Sequence, residues 1–203
     1  MAYTYQARAE LRPRELDGIS EKQIQQHWTL YEGYVKNVNE LNKRLLEHIQ
    51  KEDFSPEYAE LKRRLGFEYN GMILHEHYFA VLKPGQAPAK DGSRLDRLLK
   101  QSFGGFEEWS KEFTAIGKMR GIGWAILYLD PAHEALSNHW VTLHEDGHPA
   151  GFTPLLVMDV WEHAYMVDWG ATGRPDYITA FLKNVDWRKV EQNLEAALKA
   201  VKA

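Results

Sequence analysis

Residues 155–165 read L-L-V-M-D-V-W-E-H-A-Y. The apolar run Leu155-Leu156-Val157-Met158 has the composition of a buried strand. It leads straight into Asp159, and His163 follows four residues later. A carboxylate and an imidazole at that spacing, at a strand-to-helix junction, can both face one point. The residues on either side then have to supply a sheet, the helices that cover it, and whatever else meets at that point.

Upstream of the junction the pattern is β. Gly123–Asp130, G-W-A-I-L-Y-L-D, reads as a strand, His133–Leu143 as a second and Phe152–Met158 as a third. Hairpin-like connections at Pro131–Ala132 and Glu145–Asp146–Gly147 predict antiparallel order. From Val160 onward the pattern returns to helix, with a break around Gly170–Pro175. Before the strands, Ser93 caps a helix through Gln101, and Gly104–Gly105 separates it from an amphipathic stretch starting at Phe106.

The first part of the chain is helical. Ser20 and Gln23 read as a capping box opening a long helix with apolar positions Ile24, Trp28, Tyr31, Val35, Val38, Leu41 and Leu45. Ser55 and Pro56 open a second, with Leu61, Leu65, Met72, His75, Phe79 and Leu82 on its stripe. The short loop between them predicts an antiparallel hairpin. Gly66 and Gly71 are expected to kink or break the second helix. The run K-P-G-Q-A-P-A-K-D-G at 83–92 is the expected boundary between an N-terminal hairpin domain, 1–83, and a C-terminal α/β domain, 93–203. The fold class is α+β, with a small antiparallel three-stranded sheet in the second domain.

Composition limits the chemistry. The 203 residues carry a net charge of −4 and no basic stretch, which gives no case for nucleic acid. There is no cysteine, so disulfides, thiolate catalysis and Cys-based metal sites are excluded. Any metal has to be held by His, Asp or Glu. The first residues lack a secretory apolar stretch and no run approaches a membrane span, so a cytoplasmic protein without membrane contact is expected.

Helical phase sorts the nine histidines. His27 borders the apolar stripe of the first helix, in line with Tyr34 and Leu41. His75 lies between Met72 and Phe79 on the buried stripe of the second, whereas His77 points roughly 200° around the axis. With Asp159 and His163 they make a nitrogen and oxygen set that suits Fe, Mn or Zn. Asp159 can equally serve as a helix N-cap. On residue chemistry alone the conclusion is a His/Asp metal site.

The segment D-V-W-E-H-A-Y resembles the signature of the iron/manganese superoxide dismutase family. G-I-G-W at 121–124, R-P-D-Y at 174–177, N-V-D-W at 184–187 and Tyr34-Val35 followed by Asn37 and Asn39 are similar to further family segments, in the right order. The resemblance implies one Fe or Mn ion per subunit, held by His27, His75, Asp159 and His163. It implies that superoxide is the substrate and that the protein is a homodimer or a dimer of dimers. It makes Tyr34 the gateway tyrosine and places His139 against the solvent at the metal. Trp124 and Trp161 become pocket walls, and Glu162 reaches the partner's ligand histidine. Arg174 is the expected local guide for the anion.

The chain departs from the family pattern in its first helix. The ligand there usually precedes the tyrosine by eight residues, which would select Gln26; imidazole chemistry selects His27, seven residues before Tyr34. The helix's usual second histidine is replaced by Leu30 or Tyr31, and the second tyrosine usual after the signature histidine is Met166. These changes leave the ligands intact and alter the usual proton relay. Two other readings compete with a dismutase: a dismutase-fold binding or interaction protein with weak or no turnover, and a mononuclear hydrolase or oxygenase.

Overall fold

In the computed structural model, which describes residues 3–85 and 90–201, two long helices come first. Helix α1 spans Glu21–Gln50 and α2 spans Pro56–Ala80. Hydrogen bonds join Tyr31 to Glu76, Asn37 to Glu68 and Arg44 to Glu57. One number falls as the other rises, so the pair is an antiparallel hairpin. The Ser20 hydroxyl accepts from the Gln23 amide at 3.0 Å, as a cap should. The reciprocal half of the expected capping box is absent. The Ser20 amide donates to Asp168 instead, at 2.7 Å, which frees the Gln23 side chain for another partner.

The α2 helix runs unbroken through Gly66 and Gly71, so no break occurs there. Packing across the hairpin outweighs the weak helix propensity of two glycines. Of the expected linker, residues 86–89 lie outside the described residues. Its two ends are tied to the C-terminal part: the Lys83 amide donates to the Asn184 carbonyl at 2.8 Å, and the Gly92 amide to Asp96 at 2.8 Å.

Helices α3, Arg94–Phe103, and α4, Phe106–Gly117, follow. Strands β1, Gly123–Asp130, β2, Ala135–Thr142, and β3, Thr153–Asp159, form an antiparallel sheet in the order β2-β1-β3. Seven of the eight residues of β1 are buried, as suits the central strand. The β1–β2 connection is four residues long, with Glu134 at φ +46°, and β2 starts two residues later than expected.

The helix expected from Val160 begins later. Asp159 Oδ1 accepts from the Trp161 amide at 2.8 Å, and the Val160 amide donates to the Gly123 carbonyl at 3.0 Å. Those two bonds hold the backbone extended past the strand. A 3₁₀ turn, Glu162–Ala164, and a short helix α5, Met166–Trp169, come next. Helices α6, Arg174–Lys183, and α7, Trp187–Val201, complete the described chain. One contiguous apolar core joins Met72, Leu74 and Phe79 of α2 to the three strands and to Phe181 and Leu194. No helix among the described residues is long and apolar enough to cross a membrane.

Candidate metal centre

Four side chains from four separate segments meet at the inner end of the hairpin. His27 comes from α1, His75 from α2, Asp159 from the last position of β3 and His163 from the 3₁₀ turn. The first three are fully buried. Nε2 of His27 and Nε2 of His163 each lie 3.1 Å from Asp159 Oδ2, and Nε2 of His75 lies 3.6 Å from it. One ligand atom from each of the four falls within 4.8 Å of all the others.

Three of the four residues are held by a further hydrogen bond. Nδ1 of His75 sits 2.6 Å from the Gly71 carbonyl, which can only accept, so the ring hydrogen is on Nδ1. Nε2 is then an unprotonated lone pair, buried, facing the centre and without a hydrogen-bond partner. Such an orphan is costly unless something electrophilic completes it. The Tyr177 hydroxyl donates to the Asp159 carbonyl at 2.7 Å. Gln23, fully buried, donates from Nε2 to the His163 carbonyl at 2.6 Å and accepts from the Val167 amide at 3.0 Å. Hydrogen-bonded supports of this kind fix ligand orientation in metal sites.

The charge state fits as well. Burial alone would raise the Asp159 carboxyl, but His163 and then His27 act against that and hold it far below the usual carboxylate range. Burial lowers both His27 and His75, the latter strongly, with the neighbouring His27 adding to the effect. An ionised Asp159 therefore stands beside neutral His27 and His75, as metal ligation requires. Three imidazoles and one carboxylate suit iron, manganese or zinc, and these residues fit a single such ion.

Beside the centre lies an aromatic wall. Tyr34, Trp124 and Trp161 line it, with Phe67 of α2 packing 4.4 Å from the ring of His144. His144, buried at the tip of the loop after β2, is the residue that enters this pocket. Its Nδ1 accepts from the Trp124 indole N–H at 3.1 Å, and its Nε2 lies 2.8 Å from the Tyr34 hydroxyl. An indole can only donate, so the neutral His144 ring carries its hydrogen on Nε2 and donates to Tyr34.

The expectation for His139 is corrected here. His139 lies opposite Ile126 in the sheet, bonded to Ser137 at 2.9 Å and packed against Tyr128 and Phe152. A two-residue turn at Pro131–Ala132 would have set His139 opposite Trp124. The four-residue turn shifts the register by two, so Val141 takes that place and His144 falls just beyond it. The missed signal was the length of this connection. Gln23 and Gly71 were also missed as parts of the site, because their roles depend on partners distant in sequence.

The remaining expected residues lie around the centre. Glu162 is exposed, and His163 retains 19% side-chain exposure. Arg174 donates to the carbonyls of Met119 and Gly121, both at 2.7 Å, and to the Tyr165 hydroxyl at 3.3 Å. Its guanidinium is occupied as a clamp. Tyr31 donates to Glu76 at 3.0 Å, whereas Leu30 and Met166 are 42% and 43% exposed. Arg64 stands 4.0 Å above the ring of Phe67, at the pocket's outer side.

Residues 90–193 match the sequence family described as iron/manganese superoxide dismutases, C-terminal domain. Among similar proteins, a superoxide dismutase [Fe] of Aquifex pyrophilus is 37% identical over 200 residues, covering 95% of this chain and 92% of that one. A superoxide dismutase [Mn/Fe] of Aeropyrum pernix is 32% identical over 204 residues, covering 100% and 92%. A superoxide dismutase [Mn] of Haloarcula marismortui is 34% identical over 174 residues, covering 85% and 83%.

Proposed function

Because the chain belongs to the iron/manganese superoxide dismutase family, we propose that it converts two superoxide ions and two protons into oxygen and hydrogen peroxide. The ion is one iron or manganese per subunit, held by His27, His75, Asp159 and His163. The observation that carries this reading is the buried, unprotonated Nε2 of His75, facing an ionised Asp159 and two further imidazoles. Bound there, iron or manganese supplies a one-electron couple.

The chain's own residues supply protons and exclude water. Burial pushes the Tyr34 hydroxyl well above the usual phenol range, with the charges of Asp159 and Glu68 adding to it. Tyr34 therefore keeps its proton at neutral pH. His144 donates into the Tyr34 oxygen, so the phenolic hydrogen is free to point into the pocket, where peroxide needs it. Burial pushes His144 down to about 4, which keeps the ring neutral and this direction of donation fixed. His144, with both ring nitrogens engaged by Trp124 and Tyr34, is thus the pocket histidine in place of His139, and it acts through Tyr34. Trp124 and Trp161 wall the site, which keeps it small and suits a diatomic substrate. Arg174 is engaged as a clamp, and Arg64, whose charge acts on both Tyr34 and His144, is itself paired with Glu68 at 2.6 Å.

The active form is proposed to be a homodimer. Leu30 and Met166 are large exposed apolar side chains, at the two positions where the family places facing groups across its interface. Exposed Glu162 would reach His163 of a second copy.

Elemental analysis of the purified protein, with superoxide turnover assayed before and after loading iron or manganese, tests the reading. We expect close to one ion per chain and turnover with at least one metal. His163→Ala should lose both. Stoichiometric metal without turnover would leave a binding protein on a dismutase fold, and full retention of both by His163→Ala would remove His163 from the ligand set.

A further inference from the structure

His148 lies four residues beyond His144 in the same loop, and both of its ring nitrogens are committed. Nε2 is 2.8 Å from the His144 carbonyl oxygen, and Nδ1 is 2.6 Å from the Tyr128 hydroxyl. The carbonyl can only accept, so Nε2 carries a hydrogen and donates to it, while Nδ1 pairs with the Tyr128 hydroxyl. Tyr128 is only 2% exposed and sits on β1 four residues after Trp124. Side chains at that separation share a face of the strand. One rigid central strand therefore holds His144 twice: by its ring through Trp124, and by its backbone through Tyr128 and His148.

The loop needs such support. Leu143, immediately before His144, has φ +54°, a left-handed conformation that costs a bulky residue about 1–2 kcal/mol. Mutual bonds between Thr142 and Asp146 close the base of the loop but do not touch its tip. At the tip, the His144 amide reaches only the exposed Glu145, at 3.2 Å. Among the described residues, the His148 contact is the one hydrogen bond to the carbonyl of the backbone from which His144 enters the pocket.

We propose that His148 and Tyr128 are positioning residues that set the depth of His144 in the pocket, and through it the donor offered to a small anion. This inference rests on the dismutase reading. It leads to measurements of anion affinity and of local structure as well as turnover.

The test compares His148→Ala, His148→Gln and Tyr128→Phe with the unaltered iron-loaded protein. His133→Ala serves as a control, since His133 is exposed and bonds Asp130, away from the pocket. Azide affinity for the ferric form is read by absorption titration, turnover by rapid mixing, and the Trp124 indole N–H resonance by NMR on metal-free protein. His148→Ala should change azide affinity and turnover about tenfold, the lower end of what supporting residues in metal sites contribute. It should also move the Trp124 resonance. His148→Gln can still donate to the His144 carbonyl and should restore most of both. Tyr128→Phe, which keeps the Nε2 contact, should fall between.

A lower unfolding temperature with unchanged azide affinity and an unmoved Trp124 resonance would mean a purely structural role and overturn the proposal. So would a defect that glutamine leaves uncorrected. If His148→Ala does not fold, His148→Gln and Tyr128→Phe decide by the same readouts. A protein that binds iron and azide without dismuting superoxide would defeat the functional reading. The affinity and NMR arms would still decide the role of His148, and NMR alone would do so if no metal were bound.

Discussion

Gly71 precedes His75 by about one turn of α2, and a Cβ built on it would lie 2.7 Å from Cδ1 of Tyr34. No side chain fits there while Tyr34 keeps its place beside His75. Gly71→Ala should therefore destabilise the protein by about 1–3 kcal/mol, as overpacking does. It should also lower turnover by displacing Tyr34, which urea unfolding and a dismutase assay would register together. Gly66, with nothing within 4 Å of its Cβ position, is the contrast: Gly66→Ala should raise stability by up to ~1 kcal/mol and leave turnover alone. The sequence shows the two glycines as equivalent weak points in one helix, because the atoms that distinguish them belong to α1. His75, by contrast, was legible, since helical phase puts it on the buried stripe without reference to any partner. A second residue-scale outcome concerns pH. In the metal-free protein His144 is pushed down to about 4, and His27 and His75 are also lowered, all chiefly by burial. Unfolded histidines titrate near 6.5. As pH falls from there toward 4, the unfolded chain takes up protons that the folded chain refuses, so stability falls. Each such histidine contributes a slope of up to about 1.4 kcal/mol per pH unit. Urea midpoints of metal-free protein between pH 7 and 4 should fall, less steeply in His144→Gln; a flat profile would contradict the neutral, buried assignment.

At the scale of elements, the turn carrying His163 depends on α1. Gln23 grips the His163 carbonyl and the Val167 amide from inside the core, one turn before His27 on the same helix. A single side chain thus sets the distance between two proposed ligands. Gln23→Leu keeps the volume and strands both backbone groups in a dry interior. We expect a loss of about 2–4 kcal/mol, from roughly 1–3 for each unsatisfied group with partial relaxation. Metal affinity should fall about tenfold, measured by competition with a chelator. Unchanged affinity would show that the turn holds its shape without α1. The sequence disclosed α1, α2 and β1 nearly to their ends, because caps and apolar periodicity are local signals. Residues 160–169 read as plain helix and are not. Their course is set by the Asp159 side chain and by the Gly123 carbonyl, one a short-range capture and the other a pairing across the sheet. The displacement of His139 by His144 has the same origin, since two extra residues in a hairpin turn move every partner along the strand.

For the whole molecule, the question is whether the hairpin domain, 1–83, and the α/β domain, 93–203, proposed from the linker composition can stand apart. Two proposed ligands come from each side, so neither segment alone offers more than half the donor set. The apolar core crosses the division too: Met72, Leu74 and Phe79 of α2 pack in the same cluster as Val157, Met158 and Phe181. Cutting there would expose those faces at about 25 cal/mol for each Å² of apolar surface. A three-stranded sheet stripped of its helical cover has little left to bury. The segment 93–203 produced alone should therefore lack a cooperative thermal transition, and it should lose iron or manganese on dialysis that the full chain retains. Mixing it with the separately produced segment 1–83 should recover near-UV circular dichroism and metal retention together, because the centre and the core form from the same contacts. A fragment 93–203 that melts cooperatively and holds its metal would make the hairpin an accessory. The orphaned nitrogen of His75 would then lose its standing as the feature that defines the site.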